Sequence, residues 1–354
     1  MEKIWIASPQ IGMDETREVI DVLKSGMLAQ GKKVAEFEKK FAEFIGVKYA
    51  VACSSGTAAL HMSLLSLGIG EGDEVITTPF TFIATINMIK AVGAKPVFVD
   101  IKDDFNIDEN LIEKAITSKT KAILPVHLFG LPCNMEKIME IGKKHHIEVI
   151  EDAAQACGAT YKKKKVGAIG KIGTFSFYPT KVITTGEGGM CTTNNKRIFE
   201  KLKLIRNHGM VGSEYDYSAT GFNYRMSDIE GAIGISQLSK IESFIKVRKN
   251  IGYNYNFHLE PYIKVHKEED GIGHVYNNYS FVVPEKHREL FMLNLQENGI
   301  DCKIYYPKPF VNLPNATRIS KQIVSIPIRS NMTTDEMQHI IYHVGEITKW
   351  LKQK

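Results

Sequence analysis

A lysine on the turn between a short strand and a cluster of glycines is the first residue here that could do chemistry. In Thr174-Phe-Ser-Phe-Tyr-Pro-Thr-Lys-Val-Ile-Thr-Thr-Gly-Glu-Gly-Gly189, Phe175 and Phe177 alternate about Ser176 as in a strand. Pro179 ends the alternation, Lys181 sits on the exit turn, and glycines follow at 186, 188 and 189. A lysine amine attacks an aldehyde once burial or a neighbouring cation suppresses its charge, and glycines let a flat ligand come close. Most lysines are solvated surface charges, so the reading depends on what else is aimed at the same place.

Other strand ends supply candidates. Asp152 closes the apolar run that begins at Ile147 and could pair with a ring nitrogen, though an Asp there is as readily a helix cap. Ser54-Ser-Gly-Thr57 opens a helix, where backbone amides and the positive dipole end suit a phosphate. Gly56 permits close approach and Thr57 adds a hydroxyl; the alternative is an ordinary N-cap. Ser176 can add a further phosphate contact. Phe82, at the start of the helix after Thr77-Thr-Pro-Phe80, offers an aromatic face, and alone it would be core. Gln155, three residues past Asp152 and so one helical turn on, can reach a phenolic oxygen, or else be an exposed first-turn residue. Together these groups fit a flat, phosphorylated aromatic aldehyde with a ring nitrogen, which is pyridoxal 5'-phosphate (PLP).

The elements that must position them alternate. Strands are expected at Tyr49 to Cys53, Glu74 to Thr77, Pro96 to Asp100, Lys121 to Val126 and Ile147 to Ile150. Helices lie between them, capped by Asp108 and Asn134 among others. This rhythm predicts an α/β fold with a mostly parallel sheet covered by helices on both faces, which binds ligands off its carboxyl strand ends; the groups gathered there make this the large PLP-binding domain. Upstream, Asp14 is expected to cap a helix with Val19, Ile20 and Leu23 on one face, and Val34, Phe37, Phe41 and Phe44 mark a second. Ser227-x-x-Glu230 is a capping box opening a long helix toward residue 258. Beyond Pro261 the pattern becomes strand 275 to 283, helix 287 to 298, strand 300 to 304, a Tyr/Pro-rich loop and a helix opened by Thr333-x-x-Glu336. The domains expected are 14–245, large, and 246–354, a smaller C-terminal α+β domain that residues 1–13 can join.

Length and composition bound the class. The chain has 354 residues, 44% of them apolar and 24% charged, as in a globular protein of two units. A net charge of +5 leaves anionic small molecules open, while Lys162 to Lys165 reads as a solvated hairpin tip rather than a nucleic-acid patch. Five cysteines, at 53, 133, 157, 191 and 302, form no CxxC pair, which argues for reduced thiols in the cytoplasm and against disulfides or a metal site. The sequence has neither a signal-peptide pattern nor a run of 18 apolar residues.

With Ser54 to Thr57, Glu151-Asp-Ala-Ala-Gln155, Ser176 and Lys181 in view, the chain resembles the DegT/DnrJ/StrS family of nucleotide-sugar aminotransferases, fold-type I PLP enzymes. Pro125-Val-His-Leu-Phe-Gly130, Arg206-Asn-His-Gly209 and Gly221-Phe-Asn-Tyr-Arg-Met-Ser-Asp228 carry the same resemblance, over nearly the whole length. It implies Lys181 as Schiff-base lysine and proton shuttle, Asp152 as pyridinium partner, and Gly56, Thr57 and Ser176 as phosphate ligands. It further implies Phe82 as the stacking residue, Gln155 where others carry His, and Asn223 reaching the phosphate of a neighbouring subunit in a homodimer. L-glutamate would leave as 2-oxoglutarate, and a nucleotide-linked keto-sugar would collect the nitrogen, in amino-sugar and polysaccharide biosynthesis. Tyr305, Tyr306, His208 and Arg225 are candidates for lining the sugar pocket. The rivals are a sugar dehydratase, in which histidine replaces the lysine, and a non-catalytic regulator of the same fold.

Overall fold

The computed structural model describes residues 3–212, 215–265 and 270–353. In chain order it has helices α1 (Met13–Ser25), α2 (Lys32–Ile45), α3 (Gly56–Ser66), α4 (Ile83–Ala91), α5 (Glu109–Ile112), α6 (Met135–His145), α7 (Lys196–Arg206), α8 (Asp228–Leu259), α9 (Arg288–Glu297), α10 (Pro314–Gln322) and α11 (Thr334–Leu351). The strands are β1 (Tyr49–Cys53), β2 (Glu74–Thr77), β3 (Lys95–Phe98), β4 (Thr120–Ile123), β5 (Glu148–Asp152), β6 (Thr160–Tyr161), β7 (Lys164–Lys165), β8 (Ile172–Ser176), β9 (Gly189–Thr193), β10 (Ile272–Gly273), β11 (Tyr279–Val282) and β12 (Ile323–Ile326).

The main sheet has the order β1-β9-β8-β5-β4-β2-β3. β9 runs antiparallel to both its neighbours, and the other ladders are parallel. The carboxyl ends of β1, β2, β5 and β8 therefore open on one edge. Buried continuous runs such as Glu74-Val-Ile-Thr77 fit strands covered on both faces. Among the described residues no helix is long and apolar enough to cross a membrane.

Packing follows the aromatic spacing of α2. Phe37 and Phe41 are fully buried against Phe175 and Phe177, with Phe41 and Phe175 ring centres 5.0 Å apart. The helix has no side-chain cap of its own. Asp228, at the start of α8, supplies one instead, its carboxylate accepting from the N–H groups of Gly31 at 2.8 Å and Val34 at 3.0 Å. A separate apolar cluster gathers Ile4, Tyr255, Phe281, Phe291, Ile340 and Val344. On these two packing centres we propose the division 14–245 and 246–354, with α8 running unbroken across position 245.

Several expectations need correction. Asp14 does not cap α1; the N-cap is Gly12, whose N–H donates to Glu15 Oε2 at 2.8 Å. Ile20 and Leu23 are exposed, and the helix buries Glu15 and Val22 instead, because this face meets the polar side of α8. The strand expected at 300 to 304 reduces to single bridges at Ile300 and Lys303, since its partners Ile4 and Ser325 lie on different segments. The 275 to 283 strand shortens to β11, and α10 and β12 were not anticipated.

Glu15 is the buried acid that joins α1 to α8. Burial pushes its carboxyl up, but hydrogen bonds from Lys240, Gln237 and the Gly12 N–H outweigh this and hold it at about 2. A carboxyl depressed on folding contributes stability at pH above its ordinary 4.5 and loses it as pH falls toward 2. Glu15→Ala should cost about 2–4 kcal/mol at neutral pH. In urea unfolding, the gap from wild type should narrow through that acid window; a pH-independent gap would assign the loss to packing.

Candidate active site

The loops leaving β1, β2, β5 and β8 converge on a cavity of about 560 Å³. Its walls include Gly56, Thr57, Phe82, Asp152, Gln155, Ser176 and Lys181, so seven of the residues singled out by sequence are brought together. Tyr305 and Tyr306 line it too, from the C-terminal part of the chain.

At one end, α3 presents its first turn. Ser55 is its N-cap and accepts from the Ala58 N–H at 3.1 Å, leaving the N–H groups of the preceding residues for a ligand. A Cβ on Gly56 would lie 2.8 Å from that of Ser176, so only glycine lets the β1 loop press against the end of β8. The Thr57 and Ser176 hydroxyls flank the same corner, and anionic oxygens suit it.

Asp152 closes β5 and is 4% exposed. Its Oδ2 accepts from Thr85 Oγ1 at 2.9 Å and its Oδ1 from the Ala154 N–H at 3.2 Å, which fixes the carboxyl plane. Burial raises its pKa, against the lowering effects of Thr85, Ala154 and Lys181. It is a carboxyl in want of a cation. Lys181 lies on the turn after β8, where its backbone N–H donates to the Tyr178 carbonyl at 2.9 Å. Burial lowers its ammonium to about 8, against the attraction of Asp152. The two groups share a cavity and feel each other's charge, with the amine poised to lose its proton near neutrality.

Gln155 lies on a turn rather than on a helix, because the chain after β5 never enters one. Its Oε1 accepts from the Phe129 N–H at 2.7 Å and its Nε2 donates to the Tyr306 hydroxyl at 2.7 Å. Phe82 is the N-cap residue of α4 and 59% exposed, a large aromatic presenting its ring at the cavity instead of the core. Asn223 is exposed and lies outside the cavity wall, bridged to Asn207. His208 and Arg225 are also absent from the wall, and Arg225 Nη1 donates to Asn207 Oδ1 at 2.7 Å.

Sequence reasoning missed Thr85, Glu187, Asn277, Asn278 and Lys303, all on the wall. Thr85 had a usable signal: it lies one turn into the helix that Phe82 begins. The remaining four stand in loops with no spacing rule. The donor set fits PLP: a cradle closed to any Cβ for the phosphate, a buried acid for the ring nitrogen, a depressed lysine for the aldehyde and an exposed aromatic face for the ring.

Comparison with known proteins agrees. The model of the DegT/DnrJ/EryC1/StrS aminotransferase family matches residues 9–345. A GDP-perosamine synthase of Caulobacter vibrioides is 44% identical over 254 residues, 71% of this chain and 68% of that one. Among solved structures, Helicobacter pylori PseC, an aminotransferase of pseudoaminic acid biosynthesis, superposes with a TM-score of 0.91 at 31% identity, covering 99% of this chain and 100% of that one. Spr1654 of Streptococcus pneumoniae in its PLP form gives 0.94 at 29% identity, covering 99% of each chain.

The lowered Lys181 has a kinetic signature. Absorbance-monitored uptake of PLP by the apoprotein should accelerate as pH rises toward about 8 and level off above it, as the neutral amine becomes the main form. Levelling only near the ordinary 10.5 would mean a solvated lysine.

Proposed function

Because the chain belongs to the DegT/DnrJ/EryC1/StrS aminotransferase family, whose enzymes use PLP, we propose that it transfers an amino group from L-glutamate to a nucleotide-linked keto-sugar, with Lys181 and Asp152 as its central residues. The observation that carries this is the pairing of a lowered lysine and a raised, buried acid on the wall of one cavity.

When bound, the cofactor supplies an aldehyde that carries nitrogen between the two substrates and a ring that accepts electrons from the substrate carbon. The chain's own groups do the rest. The Asp152 carboxyl, oriented by Thr85 and the Ala154 N–H, is the partner for the ring nitrogen and keeps it protonated. The first-turn amides of α3 with Thr57 and Ser176 hold the phosphate. The Phe82 face bears on the ring, and Gln155 serves its phenolic oxygen. Lys181 would take the proton from the substrate carbon and return it to the carbon on the far side of the transferred nitrogen, a task that a base titrating at about 8 can perform in both directions near neutral pH. Tyr305 and Tyr306 cover the cavity from the C-terminal side and limit water.

The lysine argues against the dehydratase reading, and the intact Lys181 and Asp152 argue against a regulator that has lost chemistry. We further propose a homodimer, with Asn223 serving the partner's site. Its support is a row of exposed apolar side chains along and beside α1, namely Ile11, Met13, Ile20, Leu23, Met27 and Leu28.

Purified protein should be yellow, and L-glutamate should bleach that band while 2-oxoglutarate accumulates. Lys181→Ala should stay folded yet lose both the bleaching and at least about 10³-fold in turnover; retained turnover would sink the assignment. Native mass spectrometry should give twice the 39.8 kDa chain, and a monomer at micromolar concentration would exclude the shared site.

A further inference from the structure

Tyr306 carries features that lining a pocket does not explain. Its φ is +60°, the left-handed region that a bulky aromatic residue rarely occupies, and such strain persists only where the surroundings enforce it. The enforcement is visible. Its ring stands edge-on to the fully buried Phe80 with centres 5.5 Å apart, and lies 6.3 Å from Phe129 at an interplanar angle of 14°. Its hydroxyl meets Gln155 Nε2 at 2.7 Å. Phe129 takes part twice, because its backbone N–H donates to Gln155 Oε1 at 2.7 Å.

That second contact fixes the amide's orientation. A backbone N–H only donates, so the atom it meets on Gln155 must be the oxygen and the other must be the NH₂. Tyr306 then accepts one of the two Nε2 hydrogens, and the second remains for a group in the cavity that Gln155 lines. Without the tyrosine hydroxyl the amide would keep its Phe129 contact but could swing its NH₂ about that anchor.

We propose that Tyr306 is a positioning residue: by holding Gln155 Nε2 it directs the second N–H of that amide at the phenolic oxygen of the bound cofactor and sets that oxygen's basicity. This rests on the PLP reading and on the place given there to Gln155. A donor aimed at the phenolic oxygen favours its ionised form, and the ionised oxygen in turn influences the protonation of the nitrogen joined to the aldehyde carbon. The C-terminal part of the chain thus reaches the cofactor's electronics through one side chain of the β5 loop.

The test is a pH titration of the visible absorption band in holoenzyme. Tyr306→Phe keeps the ring and removes the hydroxyl, so its midpoint should move to higher pH by about 0.5–1 unit, the worth of one hydrogen bond. The same substitution in a Gln155→Leu background should move the midpoint no further, because the effect passes through that amide. A Tyr306→Phe midpoint equal to wild type, or an undiminished shift without Gln155, would overturn the proposal while leaving the aminotransferase reading intact. If Tyr306→Phe does not fold, the Gln155→Leu midpoint decides: unchanged from wild type, it overturns the proposal. Wild-type protein that takes up PLP without a visible band removes the PLP reading itself, and this inference with it.

Discussion

The site depends on what happens at the last two residues of β5. Successive side chains of a strand point to opposite faces, so Glu151 and Asp152 serve different masters. Glu151, fully buried, accepts from the N–H groups of Gly167 at 2.8 Å, Ile169 at 2.8 Å and Gly170 at 2.6 Å, and meets His127 Nε2 at 3.1 Å. The Cys133 N–H donates to His127 Nδ1, so the imidazole proton sits on Nε2 and is donated to the acid. This knot ties the loop before β8 to the end of β5. Asp152, on the other face, is thereby held beside the strand whose exit turn carries Lys181. A one-residue slip would send the knot into the cavity and Asp152 into the core.

The C-terminal part is attached to this edge by similar borrowing. α10 has Leu313 at its N-cap position and no side-chain cap, and its first free N–H groups, of Asn315 and Ala316, donate to the Asp100 carboxylate at 2.8 and 2.9 Å. The Phe310 N–H donates to the Pro79 carbonyl at 3.0 Å, just before the turn that bears Phe82. At the other end Lys303 exchanges backbone hydrogen bonds with Ser325 at 3.0 and 2.8 Å, so residues 303 to 313 are pinned at both ends across the strand ends. Their tyrosines sit over the cavity because the backbone on either side has nowhere else to go.

Much of this was legible in the residues. The strand rhythm from Tyr49 to Asp152 pointed to the parallel sheet, the capping boxes at Ser227 and Thr333 located their helices, and Gly56, Thr57, Ser176 and Lys181 meet on one cavity wall while Asn223 lies off it. What escaped depends on partners distant in sequence. α10 is capped by a residue more than two hundred positions upstream, so no local pattern announces it. β12 follows α10 directly, without the glycine or proline that would mark the change. The face of α1 was misjudged because apolar residues were assumed to point inward, whereas Glu15 is drawn inward by Lys240, Gln237 and Ser236. For the same reason Tyr306 gave no hint of its contact with Gln155: neither neighbour list nor periodicity connects residues 151 positions apart.

The length of α8 has a consequence for anyone who would dissect the molecule. At 32 residues it is a rod of about 48 Å that touches α1 and α2 near its start and is gripped further on, where Arg248 Nη1 donates to the carbonyls of Tyr276 at 3.1 Å and Ile328 at 3.0 Å. Severing the polypeptide near position 245 would open a helix in mid-turn and part the half of the rod that packs on α1 and α2 from the half whose guanidinium clasps the C-terminal segment. Fragments for expression, fusions or permuted termini are better parted in surface loops, well away from this strut.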